Sequence, residues 1–361
     1  MALRWSSVHL AKPSKILENN MNKIIIGKTG IEVNRFGFGG IPIQRVEEKQ
    51  AVETVLHAVE KGVDFIDTSR AYTTSERRIG LALKQTNQNV VLASKSRSRT
   101  SDTVREDLET SLKELQRDYI DIYQCHYVSK DEEYHKIISS GGALDGLVQA
   151  KKEGLIGHIG ITSHSLDLLD KILDDDFFET IMVCFSFLEP KAIEKIIPKA
   201  LEKNVGVIAM KSFSGGVIDT PKLALKYALS HPGIVLIPGV EHKDLFDQNW
   251  DVYQGNHELT DLEKQEIEEI RQRYDKAFCR RCDYCQPCSE EIPIQMVMGL
   301  RSALKRFGKG FIQEGWPKEA IEKARNCSEC GECLERCPYQ LPIPDLIKEN
   351  LEWVDEQLSK E

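Results

Sequence analysis

Eight times between about Met21 and Val240, a short apolar run with strand character gives way to an amphipathic stretch, with only brief connections between them. No other feature restricts the fold of this chain so tightly. The strand candidates are Arg35–Phe38, Val63–Ile66, Val90–Ala93, Tyr119–Cys125, His158–Ile161, Thr180–Phe185, Gly206–Ala209 and Ile234–Ile237. They are rich in branched and aromatic residues that suit a pleated, buried surface. Ala51, Val55, Ala58 and Val59 line one face of the first intervening helix, and Leu108, Leu112 and Leu115 one face of the third. Alternation of this kind implies a parallel sheet, and eight is the number of strands that closes a barrel. The rival is a doubly wound open sheet, but its G-x-G-x-x-G fingerprint is missing, and Gly37-Phe-Gly39-Gly40 has the wrong spacing. The expected fold is therefore α/β: a (β/α)8 TIM barrel over residues 21–270. A hairpin precedes it, made of Ile24–Ile26 and Ile31–Val33 around Gly27-Lys-Thr-Gly30.

The chain has 361 residues, more than the about 250 that such a barrel takes, which leaves room for a smaller unit over 271–361. Charged residues make up 29% and the net charge is −9, which argues against a nucleic-acid binder, since that affinity rests on neutralising phosphates with Lys and Arg. No apolar run approaches the roughly 20 residues of a membrane helix. Residues 1–20 lack a signal-peptide core and read as a loose extension, so a cytoplasmic protein is expected.

In a parallel barrel, chemistry gathers where strands end. Asp67 ends the second strand and Tyr72 follows on its loop; Lys95 ends the third strand and His126 the fourth. Side chains alternate across a strand, so Cys125 is expected to point away from His126 into the packing, and both Cys125 and Cys184 read as small buried hydrophobes. A free phenol, with a pKa near about 10, exchanges protons sluggishly at neutral pH. A neighbouring ammonium lowers that pKa, and a carboxylate holds the ammonium charged. Tyr72 can then act as a general acid toward an oxygen gaining charge, with His126 orienting the same oxygen. The set fits carbonyl reduction, in which hydride reaches carbon while Tyr72 protonates oxygen.

Residues 21–250 resemble the aldo/keto reductase family. The likeness is carried by Gly-Phe-Gly-Gly, Phe-Ile-Asp-Thr-Ser-Arg-Ala-Tyr, Leu-Ala-Ser-Lys-Ser, Asp-Ile-Tyr-Gln-Cys-His, Ile-Gly-Ile-Thr-Ser-His and Ile-Pro-Gly, in the family's order. The resemblance implies a nicotinamide-dependent reductase with Asp67, Tyr72, Lys95 and His126 as its tetrad, acting on a small carbonyl or alcohol substrate. It implies cofactor contacts at Gly40, at Thr162 and Ser163 for the carboxamide, at Cys184 in place of a usual Gln, and at Met210 where an aromatic often stacks. Lys211 has the charge for a phosphate contact, and Gln248 and Asn249 match the adenine end. The positions of the family's cationic 2′-phosphate clamp hold Gly239 and Leu245 here, with His242 and Lys243 offset, so NADP and NAD both stay open.

Eight of the ten cysteines lie between Cys279 and Cys337, a clustering that indicates metal more than disulfides. Cys279-x2-Cys282-x2-Cys285-x2-Cys288 is followed by Cys327-x2-Cys330-x2-Cys333-x3-Cys337-Pro338. The second run has bacterial ferredoxin spacing, in which three thiolates grip one cubane and the fourth often serves another. The first departs in its last interval, at Cys288. Zinc is the rival, but a third Cys so close and the Cys-Pro ending favour two 4Fe–4S clusters. With helices expected over Met296–Phe311 and Lys318–Arg325, the unit resembles a small α-helical ferredoxin, and the whole chain an iron–sulfur-containing branch of the aldo/keto reductases. Hydride carries two electrons and a cluster takes one, and no flavin motif is present, so the clusters either carry electrons, a redox partner protein included, or stabilise the fold. The competing reading is an electron-transfer protein whose barrel binds a partner or another redox cofactor.

Overall fold

The computed structural model describes residues 23–360; the extension read over residues 1–20 lies outside them. An antiparallel hairpin opens the chain, β1 (Lys23–Ile25) and β2 (Glu32–Asn34), with Ile24 opposite Val33. Eight strands follow: β3 (Phe38–Gly39), β4 (Phe65–Asp67), β5 (Val91–Ser96), β6 (Ile120–Cys125), β7 (Ile156–Ser163), β8 (Thr180–Cys184), β9 (Gly206–Met210) and β10 (Ile234–Leu236). They pair in parallel in sequence order, and bridges from Phe36 to Leu236 and from Gly39 to Gly239 join the last to the first. The expected (β/α)8 barrel is what forms. Only its first strand is displaced: residues 35–37 are bonded to β10, through Leu236, while Phe38 and Gly39 pair with β4.

Two apolar layers follow from the two-residue period of the strands. Phe65, Ala93, Ile122, Met182, Ile208 and Val235 point inward and fill the barrel, and Ile26 and Val33 of the hairpin region join them from below. The hairpin thus plugs the N-terminal end. Gly27 fits there because a Cβ on it would lie 2.2 Å from the backbone nitrogen of Gly206. Outward residues meet the helices. Glu48–Lys61 buries Ala51, Val55, Ala58 and Val59, as its sequence pattern implies. Ser101–Leu115 buries Leu108 and Leu115, with Leu112 only partly covered. Cys125 belongs to this outer layer.

The helix Asp261–Tyr274, opened by a Thr260/Glu263 capping box, packs Ile267 and Ile270 on the barrel. Beyond it a second core gathers Ile292, Val297, Leu300, Ile312, Ile343 and Val354 with helices around it. The helix expected over Met296–Phe311 is instead three short ones, Ile294–Met298, Leu300–Phe307 and Lys309–Ile312. They break at Gly299 and at Gly308, whose φ of 78° no helix accommodates. The expected Lys318–Arg325 helix runs over Gly315–Ala324, and the longest helix of this lobe, Ile343–Ser359, follows the last cysteine. Among the described residues no helix is long and apolar enough to cross a membrane.

This cysteine-rich lobe lies over the C-terminal ends of the strands. Tyr127 donates to Gln295 at 2.8 Å, Ser302 to the carbonyl of Gly215 at 2.9 Å, and Arg281 pairs with Glu189 at 3.3 Å. In the outer layer, Phe36 seals the junction of β10 and β3 against Phe246, Trp250 and Tyr253, with ring centroids 6.3, 5.7 and 5.2 Å away. Replacing Phe36 by Ala should therefore cost about 3–5 kcal/mol. It should appear as a lower urea midpoint with an unchanged slope.

Candidate active site

Asp67 and Lys95 meet because both strands send every second side chain inward, and the two residues sit one step apart across neighbouring strands. The Lys95 ammonium is 2.5 Å from Asp67 Oδ1 and donates to the carbonyl of Thr68 at 2.7 Å. Gln124, opposite Lys95 on β6, donates to the second oxygen of Asp67 at 3.1 Å. Both charged groups are buried. Burial works against the charge of Lys95, but Asp67 and the phenol of Tyr72 outweigh it and hold the amine above its ordinary pKa. Burial pushes Asp67 up, and Lys95 and Gln124 pull it back.

The loop after β4 is pinned to β5: the backbone N–H groups of Thr68 and Arg70 donate to the carbonyls of Ala93 and Lys95. Buried Glu76 anchors it further by pairing with Arg70 and accepting from Ser94. Tyr72 is thereby held with its ring 5.0 Å from the Lys95 ammonium and edge-on to His126, 5.7 Å between centroids. Here the expected direction of the phenol's pKa is reversed. Burial raises it, and the opposing pull of Lys95 does not compensate. Tyr72 is thus a protonated donor throughout the neutral range. Burial, with help from Lys95, drives His126 well below its usual value, so its ring is neutral. Ser69, 2.9 Å from His126 Nδ1, fixes that ring and leaves Nε2 uncommitted among the described residues.

Thr162, Cys184 and Met210 fall on the inward set at the ends of β7, β8 and β9 and complete the mouth. Thr162 accepts from the Tyr127 backbone at 2.7 Å and keeps its own proton free to donate. Its neighbour Ser163 faces the other way, its hydroxyl engaged with the backbone of Ser165. Lys211 follows Met210 with φ of 62° and places its amine 3.0 Å from His164 Nε2. Gly40 is packed tightly, its carbonyl accepting from Ser75. On the helix Lys243–Gln254 Gln248 is exposed and Asn249 buried, both apart from the tetrad's hydrogen bonds. Cys184 is buried with its thiol pushed up to about 11, and Cys125 to about 12. Both are inert, but Cys184 lines a cleft of about 560 Å³ between barrel and lobe with His164, Glu189, Arg280, Cys282 and Tyr284. Sequence reasoning missed Ser69, Gln124, His164 and Arg281; only the two-residue period, which puts Gln124 inward with His126, held a clue.

The cysteines divide by space rather than by run. Cys279, Cys282, Cys285 and Cys337 line one hollow of about 20 Å³, and Cys288, Cys327, Cys330 and Cys333 line another of about 20 Å³ that Cys285 also borders. All ten cysteines are free thiols. Among the described residues no three His, Cys, Asp or Glu side chains converge closely enough to hold a single ion.

An eight-stranded barrel with Asp, Tyr, Lys and His gathered at one mouth defines a class, and comparison with known proteins names it. The model of the aldo/keto reductase family matches residues 34–222, so the chain belongs to that family. L-galactose dehydrogenase of Arabidopsis thaliana is 31% identical over 212 residues, 54% of this chain and 66% of that protein. The aldo-keto reductase YhdN of Bacillus subtilis is 29% identical over 221 residues, 56% of this chain and 65% of that protein. The chain thus spans about two thirds of the length of these relatives. Among solved structures, aldo-keto reductase AKR11C1 from Bacillus halodurans superposes with a TM-score of 0.60 at 23% identity, covering 69% of this chain and 96% of that one. An aldo-keto reductase from Klebsiella pneumoniae in complex with NADPH gives 0.60 at 19%, covering 69% and 95%. These structural likenesses speak for the fold.

Two titrations check the electrostatics. The imidazole signal assigned through His126→Gln should show no protonation step near its ordinary pKa of about 6.5. In the ultraviolet, the phenolate signal lost in Tyr72→Phe should develop only above about 10.

Proposed function

We propose that the chain is a nicotinamide-dependent oxidoreductase that reduces a small carbonyl compound, or oxidises the corresponding alcohol, with Tyr72 as general acid. One observation carries this: a phenol beside a buried ammonium that is paired with a buried carboxylate. The names of relatives agree in chemistry, one being an NADH-specific methylglyoxal reductase of Escherichia coli, 25% identical over 228 residues, 55% of this chain and 69% of that protein.

The mouth suits such a cofactor. Among the described residues Ser212 Oγ, Gln124 Oε1 and Arg281 Nε, on the strands and loops around it, are buried polar atoms that make no hydrogen bond. Thr162, Cys184, Met210 and Lys211 would hold the nicotinamide end, with Gly40, Gln248 and Asn249 as more distant support. When bound, reduced nicotinamide supplies a hydride to the carbonyl carbon. Tyr72 gives its proton to the carbonyl oxygen. Lys95, charged because Asp67 faces it, stabilises the phenolate that remains, and His126 Nε2 orients the oxygen. Of the cations near the adenine end, Lys243 is paired with Glu53 at 3.3 Å and His242 lies against Gln50, so either NADPH or NADH is accommodated.

The eight clustered cysteines are proposed to hold two 4Fe–4S clusters. Support comes from the donor set: four thiols line each of two hollows, with Cys337 and Cys288 exchanged between runs as ferredoxin spacing implies. Each cluster, when bound, supplies one-electron chemistry. Cys279, Cys282, Cys285 and Cys337 would face the barrel, since Cys282 also borders the cleft at the mouth. Cys330 is exposed, and there a redox partner protein would exchange electrons.

Tyr72→Phe should lower NADPH- or NADH-dependent reduction of methylglyoxal by at least about a hundredfold while leaving cofactor binding intact; undiminished turnover would refute the assignment. Anaerobically purified protein should contain about eight iron and eight sulfide per chain with a broad visible absorption. Zinc in their place would overturn the cluster reading.

A further inference from the structure

We infer that Arg281, a residue of the cysteine-rich lobe, is a cofactor-binding residue of the barrel mouth, its guanidinium donating to the carboxamide oxygen of the nicotinamide. The inference rests on the reductase reading above and adds a residue that the barrel itself does not supply.

Arg281 lies between Cys279 and Cys282, and its backbone N–H donates to Cys279 Sγ at 3.4 Å. Its φ of 59° is uncommon for a residue with a long side chain and persists only where the surroundings impose it. The side chain leaves the lobe and enters the barrel mouth. Nη2 is 3.3 Å from Glu189 Oε2 on the loop after β8, and a Cβ on Gly215, on the loop after β9, would sit 3.1 Å from Nη1. Only one fifth of the side chain is exposed, and its charge acts on Cys184, Tyr127 and His164 around the mouth.

A guanidinium carries five N–H donors in a rigid fork. Among the described residues one contact to Glu189 engages it, the ring of Phe278 lies 5.5 Å away, and Nε makes no hydrogen bond. A fork held by one carboxylate keeps N–H donors for a further acceptor. The barrel wall explains what that acceptor meets. At the end of β8 the inward side chain is the thiol of Cys184, a weak donor, and at the end of β9 it is Met210, no donor at all. Arg281 reaches the loops that follow these two strands, at Glu189 and Gly215. The carboxylate of Glu189 partly neutralises the guanidinium and would repel a phosphate or carboxylate, so a neutral acceptor such as an amide oxygen suits the place. Because its backbone is tied to Cys279 and Cys282, the cysteine site sets the position of a group that the nicotinamide needs.

The test uses the intact holoprotein and reads binding, not turnover. In Arg281→Met, NADPH and NADH should bind about tenfold or more weakly by fluorescence titration, while ADP-ribose, which lacks the nicotinamide, stays within about twofold of wild type. Iron and sulfide content should be unchanged, and adding Cys184→Gln, which returns a donor to the barrel wall, should recover much of the lost affinity. Should Arg281→Met lose its iron, Arg281→Lys, which keeps the charge without the fork, is read by the same comparison. Unaltered NADPH affinity, or an equal loss for ADP-ribose, overturns the inference while the reductase reading stands. Failure of the wild-type protein to bind either nicotinamide overturns both.

Discussion

A buried ion pair organises the barrel mouth. Taking a carboxylate and an ammonium out of water costs several kcal/mol for each ion, and Asp67 and Lys95 are both out of reach of solvent. The loss is offset by close geometry and by hydrogen bonds that use the remaining capacity of each group, from Gln124 to the carboxylate and from the ammonium to Thr68. Such a pair persists only if the backbone holds both partners rigidly. Parallel strands do so, because β4, β5 and β6 are registered by continuous ladders and send these side chains to the same interior. Everything chemically specific at the mouth leans on that arrangement: the position of Tyr72, the neutrality of His126, and the direction of the loop that Ser69 and Glu76 tie down.

The second constraint is the lobe that lies over the strand ends. It has its own apolar core, separate from the two layers of the barrel. What joins it to the barrel is largely polar: Tyr127 with Gln295, Tyr284 with Asp167, Arg281 with Glu189, Ser302 with Gly215. Cations also stack on Tyr339 from both units, Lys191 and Arg280 each 4.4 Å from its ring. An interface of hydrogen bonds and cation–ring contacts leaves room for a wide cleft between the units, into which His164 and Cys184 look from the barrel and Cys282 from the lobe. Cover and barrel mouth are thus one construction, and the loops after β7, β8 and β9 belong to both.

Much of this was legible in the residues. Asp67, Lys95 and His126 could be read as converging because a parallel barrel brings all strand ends to one side and the period of two decides which residues face in. The same rule placed Cys125 outward, and it also shows why Ser163 does not join Thr162 at the mouth. Other features resisted reading. The phenol's pKa was expected to fall, because the effect of a neighbouring ammonium is visible from composition and the cost of burial is not. The long helix expected after the first cysteine run is broken by Gly299 and Gly308, which apolar periodicity alone does not weigh heavily enough. Gln124, His164 and Arg281 carry no signal on their own; each matters through a partner far away in the chain.

By itself the sequence determined the alternation of eight strands and helices, the identity of the groups at the strand ends, and the presence of two cysteine runs. Those are local properties, set by side-chain period, propensity and spacing. Only the tertiary structure decided how the cysteines divide, with Cys337 joining the first run and Cys288 the second, and which lobe residue enters the barrel. It alone decided that burial outweighs the pull of Lys95 on the Tyr72 phenol. Pairing across long stretches of chain and removal from water depend on where distant segments come to rest, and no local pattern carries that information.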